Sequence, residues 1–247
     1  MTDLIAKSQV DRAERSDTQW IHKKRCHSEI TDDGDKKNET NPPNKAITLA
    51  PNNVDDNKIN LNIYSRDTDI YFYTNINDKT AVQFQTEVSK VYKSILQNIN
   101  DAQLKGYELA FPPIKIHFNS PGGGIFAAFS MIDYLRLLKQ RDPRIIIHTI
   151  VEGRAASAAT LISVTGDRRF CMKYGYMLIH QLNSATWGKY NEIKDDVENL
   201  DELMRRIKRI YKDFTQVPKE ELDSILLHDI YWNSKKCLRM GLVDEIL

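Results

Sequence analysis

Hydrophobic and polar positions follow two alternating periods from residue 59 to the end of the chain. Short β-branched and aromatic runs are typical of strands, and they occur at 70–73, 114–118, 144–151, 170–172 and 176–180. Segments with apolar residues at helical spacing lie among these runs, at 84–99, 125–135, 158–164, 190–214 and 218–227. Strands that alternate with helices in this way predict an α/β fold with a mostly parallel sheet.

The apolar stripes of two predicted helices indicate which of their faces are buried. In the helix that begins near residue 125, the inward positions are Ile125, Phe129, Ile132 and Leu135. In the longest helix, 190–214, one stripe comprises Ile193, Val197, Leu200, Met204, Ile207 and Tyr211. A stripe of this length predicts contact with another subunit as well as with the core of the same chain.

Residues 1–58 differ in composition from the rest of the chain. They hold few aromatic residues and include dense polar stretches at 31–38 and 41–44. Such segments bury too little apolar surface to offset the entropy lost on ordering. We therefore expect a largely disordered N-terminal extension at 1–58, followed by a single domain at 59–247.

Composition and charge exclude several classes of function. The formal net charge is +1 and both signs are spread along the chain, so the broad basic surface of a nucleic-acid-binding protein is absent. Three cysteines without C-x-x-C spacing, Cys26, Cys171 and Cys237, argue against a disulfide framework or a structural zinc site. With no apolar run near the roughly 20 residues of a membrane span and no apolar signal segment, the sequence predicts a cytoplasmic protein whose partners are proteins or peptides.

Two small-residue turns carry the candidate chemistry. The turn N-S-P-G-G-G at 119–124 and the turn G-R-A-A-S at 153–157 each follow a predicted strand and precede a predicted helix. Turns of this kind direct free backbone N–H groups toward one point. Ser157 could therefore attack a carbonyl while these N–H groups hold the developing oxyanion, which is the chemistry of serine acyl transfer.

A serine nucleophile needs a base and, in the common arrangement, a carboxylate behind that base. His180 ends an apolar strand at the edge where α/β sheets place their sites, and His228, beside a carboxylate, remains an alternative base. His117 and His148 lie in mid-strand, where we expect packing or solvent contact. The residues alone leave the carboxylate open among Asp167, Asp195, Asp223 and Asp229.

Four ordered motifs resemble those of the proteolytic subunit of the Clp protease, a family of serine peptidases with a crotonase-like ββα superhelix. They are N-S-P-G-G at 119–123, G-R-A-A-S at 153–157, M-L-I-H-Q at 177–181 and G-L-V-D at 241–244. The resemblance covers about residues 70–247. Counting back from the last motif places Asp229 where the carboxylate of the family's triad falls.

The resemblance implies peptide hydrolysis through an acyl-enzyme. Its triad would be Ser157, His180 and Asp229, and the N–H groups of Gly123 and Ala158 would form the oxyanion hole. No metal or organic cofactor is implied. The family also implies homo-oligomeric rings, with two stacked heptamers as one arrangement, a long helix for ring packing, and an AAA+ unfoldase that delivers unfolded protein or peptide substrates.

Departures from the family pattern keep other functions open. Ala158 stands where the family has methionine, residues 182–185 replace a proline-containing stretch, and Asp229 lacks the Arg-Asp run that surrounds the family's triad acid. The alternatives are an inactive or structural ring subunit, and a protease similar to prohead or signal-peptide peptidases, which use serine with lysine. A crotonase-type acyl-CoA enzyme shares the fold and the oxyanion hole.

Overall fold

A sheet of eight strands organises residues 62–247, the part of the chain that the computed structural model describes. The strands are β1 (Ile63–Arg66), β2 (Asp69–Phe72), β3 (Ile114–Ser120), β4 (Ile147–Ala156), β5 (Arg168–Cys171), β6 (Tyr176–Leu178), β7 (Trp232–Asn233) and β8 (Glu245–Ile246). The helices of this part are α1 (Asp78–Leu104), α2 (Ile125–Arg141), α3 (Ala158–Ser163), α4 (Tyr190–Phe214), α5 (Lys219–Leu226) and α6 (Ser234–Arg239). The extension predicted at 1–58 lies outside the described residues.

The sheet is mostly parallel, which confirms the α/β prediction. Strands β2, β3, β4, β5 and β8 follow one another as parallel neighbours, while β1 joins β2 in an antiparallel pair. Strand β4 is long enough to serve two partners on one edge: its first half pairs with β5 and its last three residues pair with β6. This division brings the end of β6 beside the end of β4.

The first long helix shows how the sequence pattern produces the core. Asn77 caps α1, because its side chain accepts a hydrogen bond from the Thr80 N–H while the Thr80 hydroxyl accepts one from the Asn77 N–H. The apolar residues at helical spacing within 84–99 form one face, as the sequence predicts: Phe84, Val88, Val91, Ile95 and Ile99 are buried and Tyr92 is partly buried. Within residues 62–247, no helix is both long and apolar enough to cross a membrane.

The buried face of α2 is rotated from the predicted one. Of the four predicted inward residues only Leu135 is fully buried, while Ile125, Phe129 and Ile132 lie half-buried at the margin. The fully buried positions are Ala127, Ala128, Met131, Leu135 and Leu138. Small alanine side chains let α2 approach α3 closely. The face that carries the alanines is therefore buried, and the larger side chains lie at its margin.

Strand β4 begins at Ile147, three residues later than predicted, and continues to Ala156 instead of ending at 151. The residues before it form a polar turn in which the buried carboxylate of Asp142 accepts hydrogen bonds from Arg144, Nε to Oδ1 at 2.8 Å and Nη2 to Oδ2 at 2.7 Å. The Tyr92 hydroxyl also donates to Asp142, at 3.1 Å. This cluster anchors the start of β4 to α1.

Asp142 should make the free energy of unfolding depend on acid. The hydrogen bonds from Arg144 lower the pKa of this carboxyl from 3.8 to about 2. The resulting stabilisation is complete above the unfolded pKa and is lost as the pH falls toward about 2. We expect Asp142→Asn to remove about 2 kcal/mol of stability at neutral pH. The free energy of unfolding of this variant should also depend less on pH in the acid range, as measured by urea unfolding between pH 2.5 and 7.

Asp133→Asn is the matched control, because Asp133 forms an exposed pair with Arg136 on α2. Exposed pairs contribute little to stability, so this variant should follow the wild-type curve. If the free energies of unfolding of Asp142→Asn and wild type changed in parallel across the acid range, Asp142 would not be the source of the acid dependence.

Candidate active site

The two predicted turns meet at one edge of the sheet. Strands β3 and β4 are parallel neighbours with Ser120 opposite Ala155, so the turns that follow them lie side by side. Gly122, with φ of 93°, packs directly on the second turn: a Cβ there would lie 2.5 Å from the Ala156 carbonyl oxygen and 2.7 Å from Ser157 Cβ. Only glycine permits this contact.

The first turn is tied to the segment that precedes α1. The Ile76 N–H donates to the Gly122 carbonyl and the Gly124 N–H donates to the Ile76 carbonyl, both at 2.8 Å. A Cβ on Gly123 would lie 2.1 Å from the Ile76 carbonyl oxygen, so the backbones meet where a side chain would stand. The Gly123 N–H itself has no hydrogen-bond partner within residues 62–247, and it remains available to a ligand.

Ser157 occupies a sharp turn between β4 and α3. Its φ of 55° and ψ of −129° lie in a region that non-glycine residues rarely adopt. Its N–H donates to the Leu178 carbonyl at 2.8 Å, which joins the turn to the end of β6. The next N–H, that of Ala158, begins α3 and has no acceptor in the described part of the chain.

His180 lies two residues beyond β6, because that strand ends at Leu178 and not at residue 180 as predicted. Its Nδ1 is 2.7 Å from Asp229 Oδ1. The antiparallel pairing of β6 with β7 places Met177 opposite Trp232, which brings the loop that holds Asp229 to the imidazole. The His180 side chain is 21% exposed and that of Asp229 is 77% exposed.

The contact with Asp229 favours one tautomer of His180. A carboxylate accepts hydrogen bonds, so the imidazole proton resides on Nδ1 and the lone pair on Nε2 is left to act as a base. The structure therefore provides a histidine that is oriented by a carboxylate, in the order required for proton transfer from a hydroxyl.

Ser157 and His180 line one small cavity together with Gly123 and Ala158. The remaining lining residues are Ile125, Leu161, Gln181, Leu182, Ile207 and Tyr211. The cavity volume is about 30 Å³, far below the roughly 300 Å³ at which small-molecule pockets begin, so it accommodates only a reacting group. Among the described residues the Ser157 hydroxyl has no hydrogen-bond partner; such bonds often close only when substrate binds.

The structure also locates the competing candidates. Asp167 pairs with Lys139, Asp223 pairs with Lys208, and Asp195 is exposed on α4. His228 is exposed at the end of α5 and does not line the cavity. Asp229 and His180 are therefore the carboxylate and the imidazole that the fold joins beside Ser157.

His117 contacts two carboxylates and an aromatic ring, whereas the sequence predicted only packing or solvent contact. Its Nδ1 lies 2.7 Å from Glu152 Oε1, its Nε2 lies 2.8 Å from Asp69 Oδ1, and its ring stacks on Tyr71. Burial, and secondarily the nearby charge of Asp69, raises the pKa of Glu152. The partners lie on β2 and β4, so only the alignment of strands could reveal them.

Metal and thiol chemistry have little support in the described residues. Within 62–247, no group of three or more His, Cys, Asp or Glu side chains is arranged to hold a metal ion. Cys171 and Cys237 are buried free thiols, and burial raises their pKa values to about 11 and about 12. Neither thiol is primed as a nucleophile at neutral pH.

Comparisons with known proteins identify similar sequences. The model of a family described as Clp protease matches residues 61–247. A relative from Treponema denticola, named ATP-dependent Clp protease proteolytic subunit 2, is 30% identical over 139 residues. That alignment covers 56% of this chain and 67% of the relative.

Proposed function

The chain belongs to the Clp protease family, and we propose from that premise that it is a serine endopeptidase subunit that cleaves peptide bonds of unfolded proteins. The observation that carries the proposal is the 2.7 Å contact between His180 Nδ1 and Asp229 Oδ1 at the cavity that Ser157 lines. In this proposal Ser157 is the nucleophile, His180 the general base and acid, and Asp229 the residue that orients the imidazole.

The reaction proceeds through an acyl-enzyme. Ser157 Oγ attacks the peptide carbonyl carbon as His180 Nε2 takes the hydroxyl proton, and Asp229 stabilises the imidazolium that forms. The imidazolium then donates its proton to the leaving amine as the C–N bond breaks. Water attacks the resulting ester with His180 again as base, which releases the acid product and restores the Ser157 hydroxyl.

Two main-chain donors support the tetrahedral intermediate. The N–H groups of Gly123 and Ala158 border the cavity and have no acceptor within residues 62–247. An oxyanion would supply that acceptor, and each such donor typically contributes about 2.7–4 kcal/mol to the transition state. Glycine at position 123 also lets a substrate backbone approach closely.

Assembly into homo-oligomeric rings is part of the proposal. The stripe of α4 is buried at Ile207 and Tyr211 but exposed at Ile193 and Val197, so its N-terminal end remains open for another subunit. Rings, stacked heptamers among them, would enclose the serines, and an AAA+ unfoldase would deliver unfolded chains. We place the protein in the cytoplasm and propose no cofactor, nucleic acid or membrane partner.

Labelling with a fluorophosphonate probe tests the proposal. We expect the probe to modify Ser157, as located by mass spectrometry of the digested protein, and His180→Ala to prevent the reaction. Labelling that survives His180→Ala but is lost in a lysine variant would favour a serine–lysine protease. The absence of labelling, together with co-assembly on a second, active subunit, would favour a structural ring subunit.

Native mass spectrometry of the full chain tests the assembly. A ring should appear as a multiple of the subunit mass, and a stacked pair of rings as twice that multiple. A monomer at micromolar concentration, with the probe still reacting at Ser157, would contradict the proposed ring assembly while leaving the proposed peptidase function standing.

A further inference from the structure

Two hydroxyl groups form a chain from α4 to the turn that holds Ser157. The Thr160 hydroxyl lies 2.6 Å from the Ser157 carbonyl oxygen, and the Tyr211 hydroxyl lies 2.6 Å from Thr160 Oγ1. The Thr160 N–H also donates to the Ser157 carbonyl, at 2.9 Å. Both Thr160 and Tyr211 are fully buried, with 0% and 1% exposure, so water does not compete for these bonds.

The direction of this chain follows from proton counting. The Ser157 carbonyl can only accept, so Thr160 uses its single hydroxyl proton there. Tyr211 must then donate to Thr160 Oγ1, which leaves no buried phenol proton without an acceptor. Burial also raises the pKa of Tyr211 above its ordinary value, so the phenol remains a donor at working pH.

The Ser157 carbonyl and the Ala158 N–H belong to the same planar peptide unit. Because that unit is rigid, a carbonyl held by Thr160 fixes the direction in which the Ala158 N–H points. Hydrogen bonds in series also polarise one another, so donation to the carbonyl makes the N–H a stronger donor. Ser157 combines a φ of 55° with a ψ of −129°, a sparsely populated conformation that persists only where surrounding contacts hold it; ψ sets the direction of the Ser157–Ala158 peptide.

We propose that Tyr211 and Thr160 are positioning residues that orient the Ser157–Ala158 peptide so that its N–H can bind the oxyanion. This inference rests on the proposed serine peptidase function. Neither hydroxyl touches the reacting atoms, and both act through the Ala158 N–H. Since Tyr211 lies on α4, a shift of that helix would change the direction of the Ala158 N–H.

Removing either hydroxyl should weaken binding of the transition state more than binding of the substrate. For Tyr211→Phe we expect kcat for a peptide ester to fall about tenfold, a fraction of the 10²–10³ lost when an oxyanion donor is removed outright, with KM within about twofold of wild type. A peptide boronate, whose hydroxyl occupies the oxyanion position, should lose affinity by a similar factor.

Thr160 offers two further variants that separate positioning from folding. Thr160→Val keeps the shape and removes the hydroxyl, so it should reproduce the loss of kcat, whereas Thr160→Ser should retain activity. The double variant Tyr211→Phe with Thr160→Val should be no worse than the more impaired single variant, because the two groups act in series. Tyr92→Phe is the matched control, since the Tyr92 hydroxyl bonds to Asp142 away from this cavity.

All rates are normalised to the number of sites labelled at the end point by the fluorophosphonate, so a smaller folded fraction does not mimic the effect. If Tyr211→Phe and Thr160→Val keep kcat and boronate affinity within about twofold of wild type, the inference is wrong while the proposed function stands. A change in KM alone would overturn it equally. A wild-type protein that neither hydrolyses the ester nor reacts with the probe overturns the proposed function itself.

Discussion

Replacing Ser157 with alanine should lower kcat for peptide ester hydrolysis by about 10⁶-fold, the order of the loss seen when a serine nucleophile is removed. In the proposed mechanism the Ser157 hydroxyl forms the acyl bond. Within the described chain Tyr211 is the one other lining residue that carries a hydroxyl, and that hydroxyl is bonded to Thr160. Because Ser157 Oγ makes no hydrogen bond among residues 62–247, its removal leaves no partner unpaired. Stability to urea should therefore remain close to wild type.

Ser163→Ala is the matched control for this substitution. Ser163 also lies on α3, and its buried hydroxyl has no hydrogen-bond partner among residues 62–247. Its loss should leave kcat within about twofold of wild type. The measurement is steady-state hydrolysis of the ester by both variants; a Ser157→Ala protein that retains activity within about tenfold of wild type would end the assignment of the nucleophile.

Replacing Asp229 with asparagine should lower kcat by about 10²–10⁴-fold. The amide cannot stabilise the imidazolium, and an amide N–H directed at His180 Nδ1 would place the imidazole proton on Nε2, where it blocks the base. We expect the effect to fall below the upper limit, because the Asp229 side chain is 77% exposed and water can partly replace an exposed charge.

Asp223→Asn provides the comparison for Asp229→Asn. Asp223 is an exposed carboxylate on α5 that pairs with Lys208, and the hydrogen bond from Lys208 lowers its pKa. This variant should keep wild-type kcat across the pH range. Equal rates for Asp229→Asn and Asp223→Asn in a pH profile from 5 to 9 would show that another group orients His180.

The local sequence pattern was sufficient to predict the α/β fold class and the two turns of the candidate site. Periodicity near 2 and near 3.6 residues distinguishes strands from helices because each element buries one face. The turns at 119–124 and 153–157 could be placed together from sequence, since the carboxyl ends of adjacent parallel strands share one edge of a sheet. The end of β4 could not be predicted in the same way. The strand extends to Ala156 because its last residues pair with β6, and no local strand pattern in the sequence indicates this pairing.

Sequence by itself determined that Ser157 follows a strand, that glycines face it from a neighbouring turn, and that His180 lies at the end of an apolar segment. The residues alone left the carboxylate open, the family resemblance pointed to Asp229, and the tertiary structure brought Asp229 to His180. Only the tertiary structure decided which acidic residues contact His117 and that Tyr211 reaches Thr160. These partners lie 49, 35, 48 and 51 positions apart along the chain. Contacts at such separations depend on strand register and helix docking, which the burial of the whole core sets and no short period of the sequence encodes.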